Sequence, residues 1–125
     1  METLEFNLKI KEKPEDFIVK EKASFEEGNN NYLYLLVKRD YNLFDIQKKL
    51  NFSFAGIKDK RALTFQYVSF DEFKGKIIYS KNFKENLKNK KNWYFLKFIK
   101  KINKKVKPGF LQGNFFWIKV NLNKI

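Results

Sequence analysis

The sequence has 125 residues, of which 43% are hydrophobic and 15 are Phe, which is enough for one domain with a buried core. It contains no Cys and no His. This excludes disulfides, thiolate nucleophiles, Cys/His zinc sites and imidazole catalysis, so any chemistry must use carboxylates, Lys, Tyr, hydroxyl groups or a ligand. No stretch has the apolar length of a signal peptide or a membrane span, which predicts a cytoplasmic protein with no membrane partner.

The net charge of +13 is concentrated in one part of the chain. Residues 81–107 contain 11 Lys and a single acidic residue, whereas residues 1–80 are nearly neutral. A localised Lys block is typical of a protein with a polyanion partner, and RNA or DNA is favoured over a membrane surface. Because Lys contacts phosphate as a point charge, the block predicts affinity without sequence reading. The alternative is a basic composition with no specific nucleic-acid role.

The first third of the chain predicts strands. Residues 4–10 alternate apolar and polar side chains, which indicates a half-buried strand. Pro14 breaks this pattern, and residues 17–19 resume an extended segment. Residues 28–31 (GNNN) predict a turn, and the continuous apolar run at 32–37 predicts an interior strand covered on both faces.

The remainder predicts short helices among further strands. Asn42 is the predicted N-cap of a short helix whose Leu43, Ile46 and Leu50 share one face. Further strands are predicted at residues 52–55, 64–70, 76–79, 93–99 and 115–122, with a helical turn near 82–87. One or two short helices without βαβ alternation predict an α+β domain, built on a mixed, mainly antiparallel sheet and spanning residues 1–125.

The most unusual stretch is the loop predicted between the strands at 52–55 and 64–70. It contains four consecutive charged residues, Lys58 to Arg61, and Asp59 is the single carboxylate among them. Loops on a rigid scaffold commonly present functional side chains, which favours a site here. A solvated surface loop is the competing interpretation, since most charge runs are solvated.

Three separated motifs occur in the order of a known enzyme family. The first is Pro-Glu-Asp-Phe at residues 14–17, preceded by Lys11. The central motif comprises Gly56, Lys58, Asp59, Lys60, Ala62, Thr64 and Gln66. The third comprises Gly109, Leu111, Gly113, Asn114 and Phe116. Together they resemble the motifs of the TruD family of tRNA pseudouridine synthases, and the resemblance implies part of the pseudouridine synthase fold.

The resemblance also implies a mechanism. Asp59 matches the family's catalytic aspartate, which acts on the ribose of the target uridine either as a nucleophile or by removing a proton. The bond from uracil N1 to the ribose is broken, the base rotates, and it is rejoined through C5. Phe116 matches the residue that packs on the target base, Asn114 and Phe17 match residues that contact the nucleotide, and Lys11 matches a basic residue near the site. The usual substrate is the uridine at position thirteen of tRNA, and neither metal nor organic cofactor is needed.

Basic residues near the motif and in the Lys block are expected to contact the tRNA backbone, reading shape. These are Lys58, Lys60, Arg61, Lys100, Lys101, Lys104, Lys105 and Lys107.

The sequence departs from the family in one respect. Family members continue with an Asn-Tyr-Phe-Gly…Gln-Arg-Phe-Gly motif, an inserted domain and further strands, none of which this sequence contains. We therefore expect the N-terminal portion of a catalytic domain, with weak or no activity unless the C-terminal part of the same protein completes the sheet. A non-catalytic RNA-binding module, or an inactive fragment that retains the motif, is the alternative.

Overall fold

The computed structural model describes residues 13–58 and 60–118, and the elements below refer to that part of the chain. The strands are β1 (Phe17–Ala23), β2 (Glu27–Arg39), β3 (Ser53–Phe54), β4 (Leu63–Phe70), β5 (Ile77–Tyr79), β6 (Trp93–Ile102) and β7 (Leu111–Ile118). The helices are α1 (Leu43–Leu50) and α2 (Phe83–Lys88), with 3₁₀ turns at Pro14–Asp16 and Pro108–Phe110. None of these helices has the length and apolar character needed to cross a membrane.

All seven strands form one sheet. Its order is β5, β6, β2, β4, β1, β7, and β3 pairs with β4 outside this path. β1 and β4 are parallel, and the other strand pairs are antiparallel. This confirms the predicted α+β class with a mixed, mainly antiparallel sheet. The apolar run at 32–37 lies in β2 between β4 and β6, as predicted for an interior strand, whereas the strand predicted at 4–10 lies outside the described residues.

Helix α1 covers one face of the sheet and forms the main core. Its N-terminus is capped as predicted, because the Asn42 side chain accepts a hydrogen bond from the Phe44 N–H at 2.8 Å. Leu43 and Ile46 are buried, and Leu50 packs beside them. We call the covered side the helix face. Its core side chains on the strands are Tyr34, Leu36, Val68, Phe70, Tyr94 and Leu96.

The opposite face has its own smaller core. Leu33, which alternates with Tyr34 along β2, packs with Ile102 and Val106. The turn predicted at residues 28–31 is wrong, because these residues belong to β2 and are joined to the segment after β6. Asn30 Nδ2 donates to the Asn103 carbonyl at 3.1 Å, and a Cβ on Gly28 would lie only 2.5 Å from Asn103 Cα. The polar run therefore serves close backbone packing, for which Gly is required.

Several strand boundaries differ from those predicted, and two of these differences change where predicted site residues lie. β7 begins at Leu111 and not at residue 115, so Asn114 lies within the strand. β6 continues to Ile102 and therefore includes Lys100 and Lys101. In both cases pairing with a neighbouring strand extends regular structure into a segment whose own sequence favours a loop.

Arg39, the last residue of β2, ties the turn before β1 to the segment before β6. Its guanidinium pairs with both carboxylate oxygens of Glu15 and donates to the carbonyls of Lys90 and Lys91 at 2.8 and 3.0 Å. A planar guanidinium can satisfy these acceptors together, which an ammonium group cannot do. Burial alone would raise the pKa of the Glu15 carboxyl, but the hydrogen bond and charge of Arg39 outweigh it and lower this pKa below its ordinary value of 4.5.

We expect this pair to add a pH-dependent contribution to the free energy of unfolding. Because the folded-state pKa of Glu15 is lowered, the contribution is complete above the ordinary carboxyl pKa and is lost as the pH falls through the folded-state value. In thermal melts from about pH 7 down to about pH 2.5, the difference in Tm between the wild type and Glu15→Gln should shrink as the pH falls.

The matched control is Glu85→Gln, which removes an exposed carboxylate on α2. It should follow the wild-type curve. A Tm difference for Glu15→Gln that is constant over the whole pH range would contradict this role of the pair.

Candidate active site

The parallel pairing of β1 with β4 brings the first motif to the central one. Ile18 lies opposite Leu63, and Val19 lies opposite Thr64. Phe17, which ends the Pro-Glu-Asp-Phe motif, is the first residue of β1. The strand that carries Thr64 and Gln66 is therefore the direct neighbour of the strand that begins at Phe17.

The antiparallel pairing of β7 with β1 brings the third motif to the same place. Val19 lies opposite Phe116, and Glu21 lies opposite Asn114. Opposite residues point to the same face, and alternate residues of a strand share a face. Phe17, Asn114 and Phe116 therefore lie on one face, and the contact between the Phe17 and Phe116 rings, 6.0 Å between centroids, agrees with this.

This face is the helix face. Leu36 belongs to the core under α1 and lies opposite Gln66, and Lys38 lies opposite Thr64. The motif side chains of β4 thus continue the face that α1 covers. Lys38, Thr64 and Gln66 are all fully buried.

The predicted nucleotide contacts differ in how accessible they are. Phe116 is 57% exposed, so its ring is open to a stacking partner, whereas Phe17 is half-buried. Asn114 is half-buried, and its buried Oδ1 accepts no hydrogen bond from the described residues. The same holds for Thr64 Oγ1 and Gln66 Oε1. A buried polar atom without a partner costs about 1–3 kcal/mol, so a polar group of a ligand or a water molecule would be favoured beside these atoms.

A gap along one edge of β4 is closed by a side chain. β1 pairs with residues 63–65 and β3 pairs with Val68 and Ser69 on β4, which leaves the Tyr67 N–H between them. This N–H donates to Glu21 Oε1 at 2.8 Å, and Glu21 is 2% exposed. The carboxylate therefore replaces a strand partner at this position.

The other oxygen of the same carboxylate holds the loop between β3 and β4, which carries the central motif and which we call the motif loop. Glu21 Oε2 lies 2.9 Å from Lys58 Nζ, with the two side chains only 1% and 6% exposed. The contact is an ion pair without the alignment of a hydrogen bond. The loop is attached a second time where Gln66 Nε2 donates to the Gly56 carbonyl at 3.2 Å. Both anchors lie within three residues of Asp59.

The predicted site residues are therefore brought together in part. Phe17, Asn114 and Phe116 meet on the helix face beside Thr64 and Gln66. Asp59 and Lys11 lie outside the described residues. Lys58 is turned inward by Glu21, so we do not carry it forward as a contact to the RNA backbone.

The remaining basic residues do not form one continuous patch. Lys60 and Arg61 are exposed in the motif loop. Lys100 lies opposite Leu33 and Lys101 lies opposite Tyr32, so that they point to different faces. Lys104, Lys105 and Lys107 are exposed in the segment between β6 and the Pro108–Phe110 turn.

The sequence alone does not identify Glu21 as a residue of the site. Its charged neighbours Lys20 and Lys22 hide it, because a strand with three consecutive charged residues gives no sign that one of them is buried. The signal that was available is its position four residues after Phe17 in an extended segment. Because alternate residues of a strand share a face, this spacing places Glu21 on the same face as Phe17. Among the described residues, no group of three or more acidic side chains is arranged to hold a metal ion.

Comparisons with known proteins agree with this arrangement. The chain is 34% identical over 127 residues to a tRNA pseudouridine synthase D from Aquifex aeolicus (strain VF5), covering 91% of this chain and 31% of that protein. It is also similar to the crystal structure of a Methanosarcina mazei protein described as tRNA pseudouridine synthase D (TruD). The TM-score is 0.65 at 32% identity, and the match covers 86% of this chain and 25% of the other.

The chain thus spans less than a third of the length of these relatives. The family model of tRNA pseudouridine synthase D (TruD) matches residues 1–124, a range that includes all three motifs. On the strength of this match, the chain belongs to the tRNA pseudouridine synthase D (TruD) family.

Proposed function

We propose that this chain supplies the uridine-binding part of a tRNA pseudouridine synthase, with Asp59 as the catalytic carboxylate. The observation that carries the proposal is the meeting of three distant motifs on the helix face. Phe17, Asn114 and Phe116 lie there beside the strand that follows Asp59 in sequence. At this face an exposed Phe lies next to buried polar atoms that have no hydrogen-bond partner among the described residues, an arrangement suited to a flat polar ligand.

The aromatic pair and Asn114 are suited to an extruded uracil. A base inside folded RNA must leave its stack to be reached, and stacking on an aromatic ring returns about 1–3 kcal/mol. In this proposal uracil stacks on the exposed ring of Phe116, and Phe17 supports that ring from the neighbouring strand. The Asn114 Oδ1, which is a buried acceptor, takes the hydrogen bond from uracil N3–H.

Asp59 then acts on the ribose, as a nucleophile at C1′ or as a base that removes a proton from the ribose. Either role requires a carboxylate held in place, because loss of orientation lowers the rate steeply. The Glu21–Lys58 ion pair and the Gln66–Gly56 hydrogen bond fix the backbone on the N-terminal side of Asp59. We assign Glu21 and Lys58 to positioning, since neither needs to contact the substrate.

The basic residues near the motif and in the Lys block would hold the tRNA backbone. Those we retain are Lys60, Arg61, Lys100, Lys101, Lys104, Lys105 and Lys107. Lys11 stays proposed as a basic residue that contacts the substrate near the site. We further propose uridine thirteen as the target and the cytoplasm as the location, both on the resemblance to the family. In this proposal residues 1–125 are the N-terminal portion of the catalytic domain, and the rest of the domain completes the sheet and the pocket.

The decisive variant is Asp59→Ala. In the protein as the cell makes it, we expect Asp59→Ala to abolish pseudouridine formation in unmodified tRNA and to leave the tRNA Kd within about twofold, because a single carboxylate contributes little to phosphate binding. Carbodiimide labelling with primer extension measures the product and its position.

The complementary control replaces Lys104 and Lys105 together by Ala. This double substitution should weaken tRNA binding and leave the turnover rate at saturating tRNA unchanged. Binding of tRNA without any turnover in the wild type would favour the non-catalytic RNA-binding module instead.

Two adjacent Phe residues provide a matched pair of variants. Phe116 lies on the helix face, whereas Phe115 lies on the opposite face and is 47% exposed. We expect Phe116→Leu to lower kcat/KM about 10- to 100-fold through loss of stacking, and Phe115→Leu to stay within about threefold of wild type. Equal effects of both substitutions would contradict the assignment of the base to the helix face.

The positioning pair can be tested separately from stability. Breaking a buried ion pair by removing one partner costs about 3–5 kcal/mol, whereas removing both charges costs less. Glu21→Gln keeps an acceptor for the Tyr67 N–H, and Lys58→Met keeps the length of the side chain. The double variant should therefore unfold at a higher denaturant concentration than either single variant.

In the double variant we expect kcat to remain lowered about 10-fold or more with an unchanged tRNA Kd, because the loop has lost its ionic anchor. Wild-type kcat in a stably folded double variant would show that the pair serves stability alone.

A further inference from the structure

A cleft of about 390 Å³ lies at the far end of β1 from Phe17. It is lined by Ser24, Phe25, Glu26, Asn103, Lys104 and Phe110. Phe25 packs edge-on against Tyr67, 5.2 Å between centroids, and Tyr67 alternates with the helix-face residue Gln66. The cleft is therefore on the opposite face of the sheet. Ser24, the residue that follows β1, is roughly 23 Å from Phe17 along the direction of the strand.

Two aromatic rings meet at right angles in this cleft. The Phe25 and Phe110 centroids are 5.9 Å apart, with an angle of 89° between the ring planes. Phe25 is held by its contact with Tyr67, and Phe110 is half-buried in the turn before β7. Such a corner presents the face of one ring and the edge of the other to a planar ligand.

Ammonium groups accompany both rings. Lys100 Nζ donates to the Phe25 carbonyl at 3.0 Å, and Lys107 Nζ lies 5.6 Å from the centre of the Phe110 ring. Lys104 lines the cleft itself. Three cations around two rings favour an anionic ligand with a flat apolar part, which is the chemistry of a nucleotide.

The floor of the cleft is held by backbone packing. The Asn103 N–H donates to the Glu26 carbonyl at 3.0 Å, and Asn30 Nδ2 contacts both oxygens of Asn103 at 3.1 and 3.2 Å. The close approach of Gly28 to Asn103 brings these segments together. Because the cleft is formed before any ligand arrives, little ordering is needed on binding.

We propose that this cleft binds an unpaired nucleotide of the RNA, away from the uridine that is modified. The base stacks on Phe110, its phosphate lies by Lys104 and Lys107, and the Glu26 carboxylate accepts a hydrogen bond from an N–H group on the edge of the base. The volume is within the range of small-ligand pockets. The proposal rests on the proposed function, since it assigns a second point of contact with the same RNA. It gives part of the Lys block a specific role, beyond general attraction of phosphates.

The test is the tRNA Kd, measured by fluorescence anisotropy over a series of salt concentrations. We expect Phe110→Leu to weaken binding about 5- to 10-fold without changing the salt dependence, because stacking carries no charge. Lys104→Gln should lower the slope of log Kd against log salt by about 1, because one phosphate contact is lost. Phe110→Tyr keeps an aromatic ring and should bind as the wild type does.

Matched controls lie elsewhere on the surface. Phe44→Leu removes a ring that is 46% exposed on α1, and Lys88→Gln removes an exposed cation at the end of α2, within the same Lys block. Neither should change the Kd by more than about twofold or lower the salt slope as Lys104→Gln does. If Phe110→Leu is unfolded, ultraviolet crosslinking of the wild type to tRNA replaces it, with the crosslinked peptide expected to contain Phe25 or Phe110.

The outcomes separate this proposal from the proposed function. If tRNA is bound and modified while Phe110→Leu and Phe110→Tyr both behave as the wild type, or while no crosslink reaches the cleft, the nucleotide pocket is refuted and the enzyme assignment stands. If the protein does not bind tRNA at all, the proposed function is refuted, and the nucleotide pocket that rests on it is refuted as well. Displacement of tRNA by polyglutamate but not by oligouridylate would identify an acidic protein segment as the ligand and would also overturn the proposal.

Discussion

The buried carboxylate of Glu21 is the contact on which the candidate site depends. One oxygen accepts the Tyr67 N–H, which neither β1 nor β3 pairs with, and the other forms the ion pair with Lys58. A single side chain therefore completes the edge of β4 and anchors the loop that leads to Asp59. Its burial makes the arrangement sensitive to change, because a buried charge that loses its partner is strongly destabilising. The same burial limits the movement of Lys58, which is what a loop adjoining the proposed catalytic residue, Asp59, would require.

The parallel pairing of β1 and β4 determines where the motifs meet. With β1 inserted between β4 and β7, residues from three distant stretches become neighbours across two strand pairs. Alternation of side chains then separates two groups of aromatic residues on β7, with Phe116 toward the helix face and Phe115 and Trp117 away from it. A register shift of one residue would exchange the two groups, so the strand register, and not composition, decides which ring faces the site.

The two proposals divide the task of binding RNA between the two faces of the described part of the chain. The helix face carries residues suited to one extruded base, next to the motif loop. The opposite face carries the cleft of Phe25 and Phe110, close to the Lys residues that follow β6. In this proposal the net charge of the Lys block attracts phosphate over a distance, and stacking on rings held by packing selects an unpaired nucleotide. Attraction of the RNA and selection of the nucleotide therefore rest on different interactions, electrostatic in the first case and aromatic stacking in the second.

Much of the fold and the identity of the motif residues follow from the sequence alone. Apolar runs and capping residues predict β2 and α1, because side-chain periodicity and local hydrogen bonds act within a few residues. The motif around Asp59 is likewise a local pattern. The partner of Lys58, the role of the GNNN run and the extent of β7 depend on contacts between residues far apart in sequence. Glu21 and Lys58 are 37 positions apart and Gly28 and Asn103 are 75 apart, so that only the tertiary structure brings each pair together and decides which charges are buried.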